Sequence, residues 1–127
     1  MYLRLTFNIF GENFNAEYCK NVLHLSELKS IFDSNYPQNL SFVHLNEFSK
    51  EYWDEQYEES YYVFIKNNID VLKDYGANEF DIFIEVYKQE SEQCNFQILN
   101  QKFLKLVGDH EISLPISIYT VFENDEL

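Results

Sequence analysis

The sequence predicts an α+β fold, an antiparallel or mixed sheet of about four to five strands with two to three helices packed on it. Three observations predict it. Leu3 to Ile9 and Phe80 to Val86 each alternate apolar and polar residues with the period of a half-buried strand. Between them Tyr57, Tyr61, Phe64, Ile65, Asn68 and Leu72 recur at helical spacing. A strand-then-helix order appears at both ends of a chain of 127 residues, which reads as one domain, 1–127.

Each element follows from local residue choice. Leu3, Leu5, Phe7 and Ile9 alternate with Tyr2, Arg4, Thr6 and Asn8 in the first strand, and Gly11 ends it. Asn13 or Asn15 offers a helix N-cap, with Glu17 in the first turn and Cys19, Val22 and Leu23 as an apolar stripe. The stretch Ser26 to Phe32 predicts one or two helical turns, and Asn35–Tyr36–Pro37 predicts a turn, because proline disfavours helix in the residue before it. Leu40 to Leu45 reads as a short strand, with Phe42 and His44 on one face and Ser41, Val43 and Leu45 on the other.

The long helix begins near Asp54 and ends near Tyr75–Gly76, where glycine suits the left-handed cap. After the Phe80 strand, the polar run Lys88 to Gln93 predicts a loop. Phe103, Leu104, Leu106 and Val107 predict a short helix with Gly108 just past its end. Leu114, Ile116 and Ile118 then alternate with Pro115, Ser117 and Tyr119 in a last strand. Pro115 cannot donate a ladder hydrogen bond, so it belongs at the strand start or on an edge. The acidic tail, residues 123–127, is expected to fray.

Composition narrows the function. A formal charge of −13 repels nucleic acid and acidic membranes and speeds encounter with basic partners. The nine Lys and Arg residues are scattered and form no basic patch for phosphate. The opening stretch is too regularly patterned for a signal peptide, and no apolar run approaches the roughly 18 residues of a membrane span. A cytoplasmic protein is the expectation. Cys19 and Cys94 lie far apart without metal-type spacing, so two reduced core thiols are expected, with one disulfide left open. Aromatic content of 18% exceeds what one small core takes in, which places some rings at the surface.

Chemistry-bearing motifs are thin. His24, His44 and His110 make no local metal motif and read as capping or solvated residues. There is no nucleophile elbow and no phosphate-cradling loop, and Gly11, Gly76 and Gly108 all fall at expected element ends. Cys19 sits on the apolar stripe of its helix and reads as structural. Carboxylate pairs such as Asp54 with Glu58 read as solvated acids on one helix face. The expectation is therefore no enzyme, no cofactor and no metal. A small hydrolase would need a deep pocket that gathers several carboxylates and a histidine.

One segment combines two residue classes. Glu47 to Tyr62 holds six carboxylates against one lysine, interleaved with Trp53, Tyr52, Tyr57, Tyr61 and Tyr62. Tyr and Trp carry much of the binding energy at protein interfaces. The helical register turns Tyr57 and Tyr61 towards the core. It leaves Tyr52, Trp53 and Tyr62 as exposed anchors, with Glu51, Asp54, Glu55, Glu58 and Glu59 as a charged rim. These eight residues are the predicted partner-binding site.

The order of elements adds a resemblance. The opening strand followed by FGENFNAEYCKNVL, the tryptophan ahead of the long helix, the GANEFDIFIEVY strand and the closing FLKLVGDHEISLPISIY resemble a family of small bacterial α+β domains of unknown function. Gly11–Glu12 matches its turn, Phe103, Leu104 and Gly108 match its short helix and stop, and Leu114, Ile116, Ile118 and Tyr119 match its final strand. The resemblance covers both ends well and the middle weakly, and no Lys-Gly pair follows the first helix. Members are similar to proteins encoded beside polymorphic or contact-dependent toxins, where small acidic partners act as immunity proteins. The resemblance thus implies a monomer or weak dimer that neutralises a basic toxin, such as a nuclease, by stoichiometric occlusion. The alternative is a homo-oligomeric structural or regulatory domain with no toxin partner, in which the aromatic surface meets its own copy; faces this acidic repel one another, and a sheet edge away from the acidic segment would avoid that repulsion.

Overall fold

The N-terminal alternating stretch forms the centre of the sheet. The computed structural model describes residues 2–31, 39–43, 45, 55–95 and 97–122. Strand β1 (Tyr2–Gly11) leads into helix α1 (Ala16–Leu23), strands β2 (Leu28–Ile31) and β3 (Asn39–Val43), and the long helix α2 (Glu55–Asp74). Strand β4 (Glu79–Gln89), helix α3 (Gln101–Asp109) and strand β5 (Ile116–Val121) follow. The sheet order is β2-β3-β1-β4-β5, antiparallel except for the β4–β5 pair, so the sheet is mixed. The predicted α+β class, with three helices on a five-stranded sheet, is what the described residues form.

Alternation in β1 and β4 decides the layers. Leu3, Leu5, Phe7 and Ile9 are buried together with Phe80, Ile82, Ile84 and Val86. The same cluster contains Cys19 of α1, Tyr61, Ile65, Ile69 and Leu72 of α2, and Phe103 and Val107 of α3. All three helices therefore cover one side of the sheet. Each such side chain, fully buried, contributes about 1.5–3 kcal/mol relative to exposure. The other side carries Tyr2, Arg4, Thr6 and Asn8, paired across β4 with Tyr87, Glu85, Phe83 and Asp81.

Helix ends follow local rules. The Asn15 side chain accepts a hydrogen bond from the Tyr18 N–H, so Asn15 is the N-cap of α1, and His24 closes that helix with φ 57°. Asn100 caps α3 in the same way, through the Phe103 N–H. At the end of α2, Gly76 takes φ +104°, as its position predicts.

Three sequence expectations give way to tertiary pairing. Residues 28–31 are a strand and not a helical turn, because they pair with β3 from Leu28↔Val43 to Ile31↔Leu40 and bury Leu28. Lys88 and Gln89 extend β4 instead of opening a loop, since Thr120 and Val121 of β5 pair with them. Gly108 lies inside α3, which stops one residue later at Asp109, with His110 as its cap and Glu111 turning to φ 54° after it. The Asn35–Tyr36–Pro37 turn, His44 and the acidic tail at 123–127 lie outside the described residues.

Candidate functional site

The described half of the acidic aromatic segment is directed inward. Glu51, Tyr52, Trp53 and Asp54 lie outside the described residues, and Glu55 is the first residue of α2. Glu58 is 6% exposed, so it is not a rim carboxylate. Its Oε1 accepts the backbone N–H of Asn100 at 2.7 Å, at the very start of α3. A carboxylate there satisfies an orphan donor and faces the positive end of the helix dipole. Glu59 is held by Lys102 at 2.8 Å, and this pairing raises the lysine pKa. Tyr62 is half-buried against Phe103, with ring centroids 5.7 Å apart, and the Lys102 ammonium sits 4.5 Å from its centroid. Three predicted contact residues thus join α2 to α3.

Tyr57 and Tyr61 behave as the register predicts, with an added polar role. Among the described residues β3 pairs with β1 from Phe7 to Gly11. Beyond that point the Tyr61 hydroxyl donates to the Leu5 carbonyl at 2.6 Å and accepts from the Leu45 N–H at 3.2 Å. The Leu5 N–H reaches the Tyr57 hydroxyl at 3.4 Å. The two phenols satisfy the backbone N–H and C=O of Leu5 on that side of β1. Burial pushes the Tyr61 phenol well above its ordinary pKa.

A cleft forms at the other end of α2. The Asn78 N–H donates to the Phe10 carbonyl at 2.9 Å, tying the start of β4 to the end of β1. A Cβ on Gly11 would collide with the Gly76 carbonyl oxygen and come within 2.9 Å of Phe14 Cβ, so this junction requires glycine. From the other side, Ser113 pairs with β4 through its N–H to Phe80 O (3.1 Å) and its carbonyl from Ile82 N–H (2.8 Å). The space between is a cleft of about 450 Å³ whose polar lining includes Lys73, Glu79, Asp81, His110, Glu111 and Ser113. Asp81 is half-buried and accepts from Asn8 Nδ2 at 2.8 Å. Burial raises its pKa, and the Asn8 hydrogen bond partly offsets this.

In composition the cleft meets the condition set for a hydrolase, several carboxylates and a histidine. Among the described residues, however, the His110 ring bonds to Lys73 and not to Ser113 or a carboxylate. His110 Nδ1 lies 2.9 Å from Lys73 Nζ, so beside an ammonium Nδ1 accepts and the ring proton sits on Nε2. A base acting on Ser113 needs the opposite tautomer, with Nδ1–H held by a carboxylate. Among the described residues no group of three or more His, Cys, Asp or Glu side chains is arranged to hold a metal. No disulfide joins Cys19 and Cys94, and burial pushes the Cys19 thiol up.

The β5 margin of the sheet is apolar. Ile116 and Ile118 are each 54% exposed, Tyr119 is 42% exposed and Phe122 is exposed as well. Tyr119 stacks on Tyr87 (5.0 Å, 20°), which stacks on Tyr2 (5.2 Å, 12°), a row across β5, β4 and β1. Burial and the hydrogen bond to Glu85 push the Tyr87 phenol up to about 12. Pro115 directly precedes β5, the strand-start position open to a residue that cannot donate a ladder hydrogen bond, and β5 is the edge strand of the sheet.

The sequence signals for these two surfaces differ. Lys73, Asp81, His110 and Ser113 come from separate elements, and no spacing in the chain announces the cleft. The edge carries an uncharged run, residues 114–122, but residues 34–46 and 93–101 are uncharged as well, so the run alone does not mark an edge. No protein-family model, no curated protein and no solved structure matches the chain. Among the described residues no helix is long and apolar enough to cross a membrane.

Proposed function

We propose that this chain is an acidic binding protein that neutralises a basic partner by stoichiometric occlusion, as an immunity protein does its toxin. The observation that carries the reading is the placement of Glu79, Asp81 and Glu111 along one cleft in a chain of net charge −13. Arg4, Lys102 and Lys105, by contrast, lie against carboxylates of the chain itself. A cationic side chain of the partner entering the cleft meets Asp81, held by Asn8, with the exposed Glu79 and Glu111 beside it and Lys73 also in the lining. Asp81 is already partly desolvated, so docking costs it less hydration than a fully wet acid. The acidic field raises the association rate and fades with salt. A partner covering the cleft would bury about 1,200–2,000 Å² in total. The bacterial resemblance agrees with this class of partner, a basic toxin domain such as a nuclease.

The test uses the gene immediately upstream. Its product's C-terminal domain, expressed alone, should arrest growth, and co-expression of this chain should restore it through a one-to-one complex. Glu79→Lys combined with Glu111→Lys should slow association about tenfold or more at low salt. An unaltered rate moves the docking face away from the cleft. Trp53→Ala tests the predicted anchor, with a loss of about 2 kcal/mol or more expected for a true one. Failure to form any complex at low ionic strength overturns the reading.

A further inference from the structure

The β5 edge breaks the rules by which sheets are kept apart. Edge strands are usually shielded by lysines, bulges, inward charges or a covering element, because their free N–H and C=O groups template pairing. Residues 114–122 contain no charged side chain, and four of the six residues from 116 to 121 are β-branched or aromatic apolar types. Among the described residues no strand lies outside β5.

The ladder shows which backbone groups face outward. Ser113 N–H bonds to Phe80 O, and the Ser113 and Pro115 carbonyls accept from Ile82 and Ile84. Odd-numbered residues therefore face β4, and alternation turns the N–H and C=O of Ile116, Ile118 and Thr120 away from it. Side chains alternate as well. Ile116 and Ile118 share the helix side with their partners Ile84 and Val86, while Ser117 and Tyr119 share the other side with Glu85 and Tyr87. Ile84 and Val86 are buried, but Ile116 and Ile118 are each 54% exposed.

We infer that β5 pairs antiparallel with β5 of a second copy about a twofold axis at Ile118, joining two sheets into one. Three features select a second copy. The outward groups are self-complementary: Ile118 meets its own equivalent, Ile116 meets Thr120, and about six backbone hydrogen bonds form. On the other side Tyr119 lies opposite the small Ser117, so the stacked ring is not crowded. Charge decides the rest. An uncharged strip offers nothing to a basic partner, yet it lets two chains of −13 meet without carboxylates directly opposed. This pairing does not rest on the toxin reading, and the purified chain alone tests it.

Sedimentation of the chain from micromolar to submillimolar concentration, at low and at high salt, reads the association directly. The expected result is a reversible dimer whose dissociation constant falls about threefold or more as salt screens like charges. A basic contaminant partner would show the opposite salt dependence. Ile118→Lys, which sets two lysines face to face, should weaken the dimer about tenfold or more. Thr120→Pro removes one outward N–H and should act similarly while leaving the β4–β5 ladder intact. Amide exchange in the unaltered chain gives a reading independent of variant folding. The Ile116, Ile118 and Thr120 amides should exchange more slowly as concentration rises. A monomer throughout, a dimer that both variants retain, or outward amides indifferent to concentration would each overturn the inference.

Discussion

The N-terminal turns of α2 and the β5 edge form an instructive contrast. The first is rich in carboxylates and tyrosines, the composition of a sticky acidic surface. Its described residues nevertheless turn inward: Tyr61 is fully buried, Glu58 bonds α3, and Glu59 and Tyr62 both meet Lys102. The second is an apolar β-strand, the composition of a core. It lies at the margin with Ile116 and Ile118 more than half exposed. Residue type alone predicts the wrong side in both places. What differs is the neighbour: α2 has α3 and β1 beside it, whereas among the described residues β5 has a strand, β4, on one side only.

Substitutions can break this contrast or sharpen it. Tyr61→Ala should have the largest effect, about 3–5 kcal/mol of stability, since it empties a buried site and orphans Leu5 O and Leu45 N. Urea unfolding checks it, and Tyr61→Phe should lose only the hydrogen-bond share, about 1–3 kcal/mol. Next is Glu58→Ala, expected to cost about 1.5–3 kcal/mol by leaving the Asn100 N–H without its acceptor. If Glu58→Ala proves neutral in thermal melts, the carboxylate is not what holds α3.

Asp81→Asn should act in the opposite direction and depend on pH. Burial raises the Asp81 pKa in the fold. Its contribution is therefore fully present below the unfolded value, where the acid is protonated, and is lost as pH rises through the folded value. Asparagine keeps an acceptor for Asn8 without the charge. The variant should gain less than about 1 kcal/mol at neutral pH and nothing near pH 3, as melts at the two pH values would read. Smallest of all is Glu59→Gln. Both partners of that ion pair are about half exposed, so a change under about 0.5 kcal/mol is expected, and salt should erase it.

Much of the fold could be read from residue order. Leu3 to Ile9 and Phe80 to Val86 announced β1 and β4, Asn15 announced the α1 cap, and Gly76 the end of α2. Ser26 to Phe32 misled because a four-residue strand carries too little periodicity to outweigh helix-compatible residues, and only pairing with β3 resolves it. The candidate cleft was unreadable for a different reason. Its residues sit on β1, α2, β4 and the connection between α3 and β5, and no local pattern records that these ends converge.

The sequence by itself determined the layers, the long helix, the proline at the start of the last strand and the strong negative charge. Those properties depend on local periodicity, backbone chemistry and a sum over residues. Tertiary structure alone decided which carboxylates are enclosed and which line a cleft, and which apolar strand is left uncovered. Burial is a relation between segments distant in the chain, and Glu58 and Ile118 acquire their surroundings only when α3 and β4 come to lie beside them.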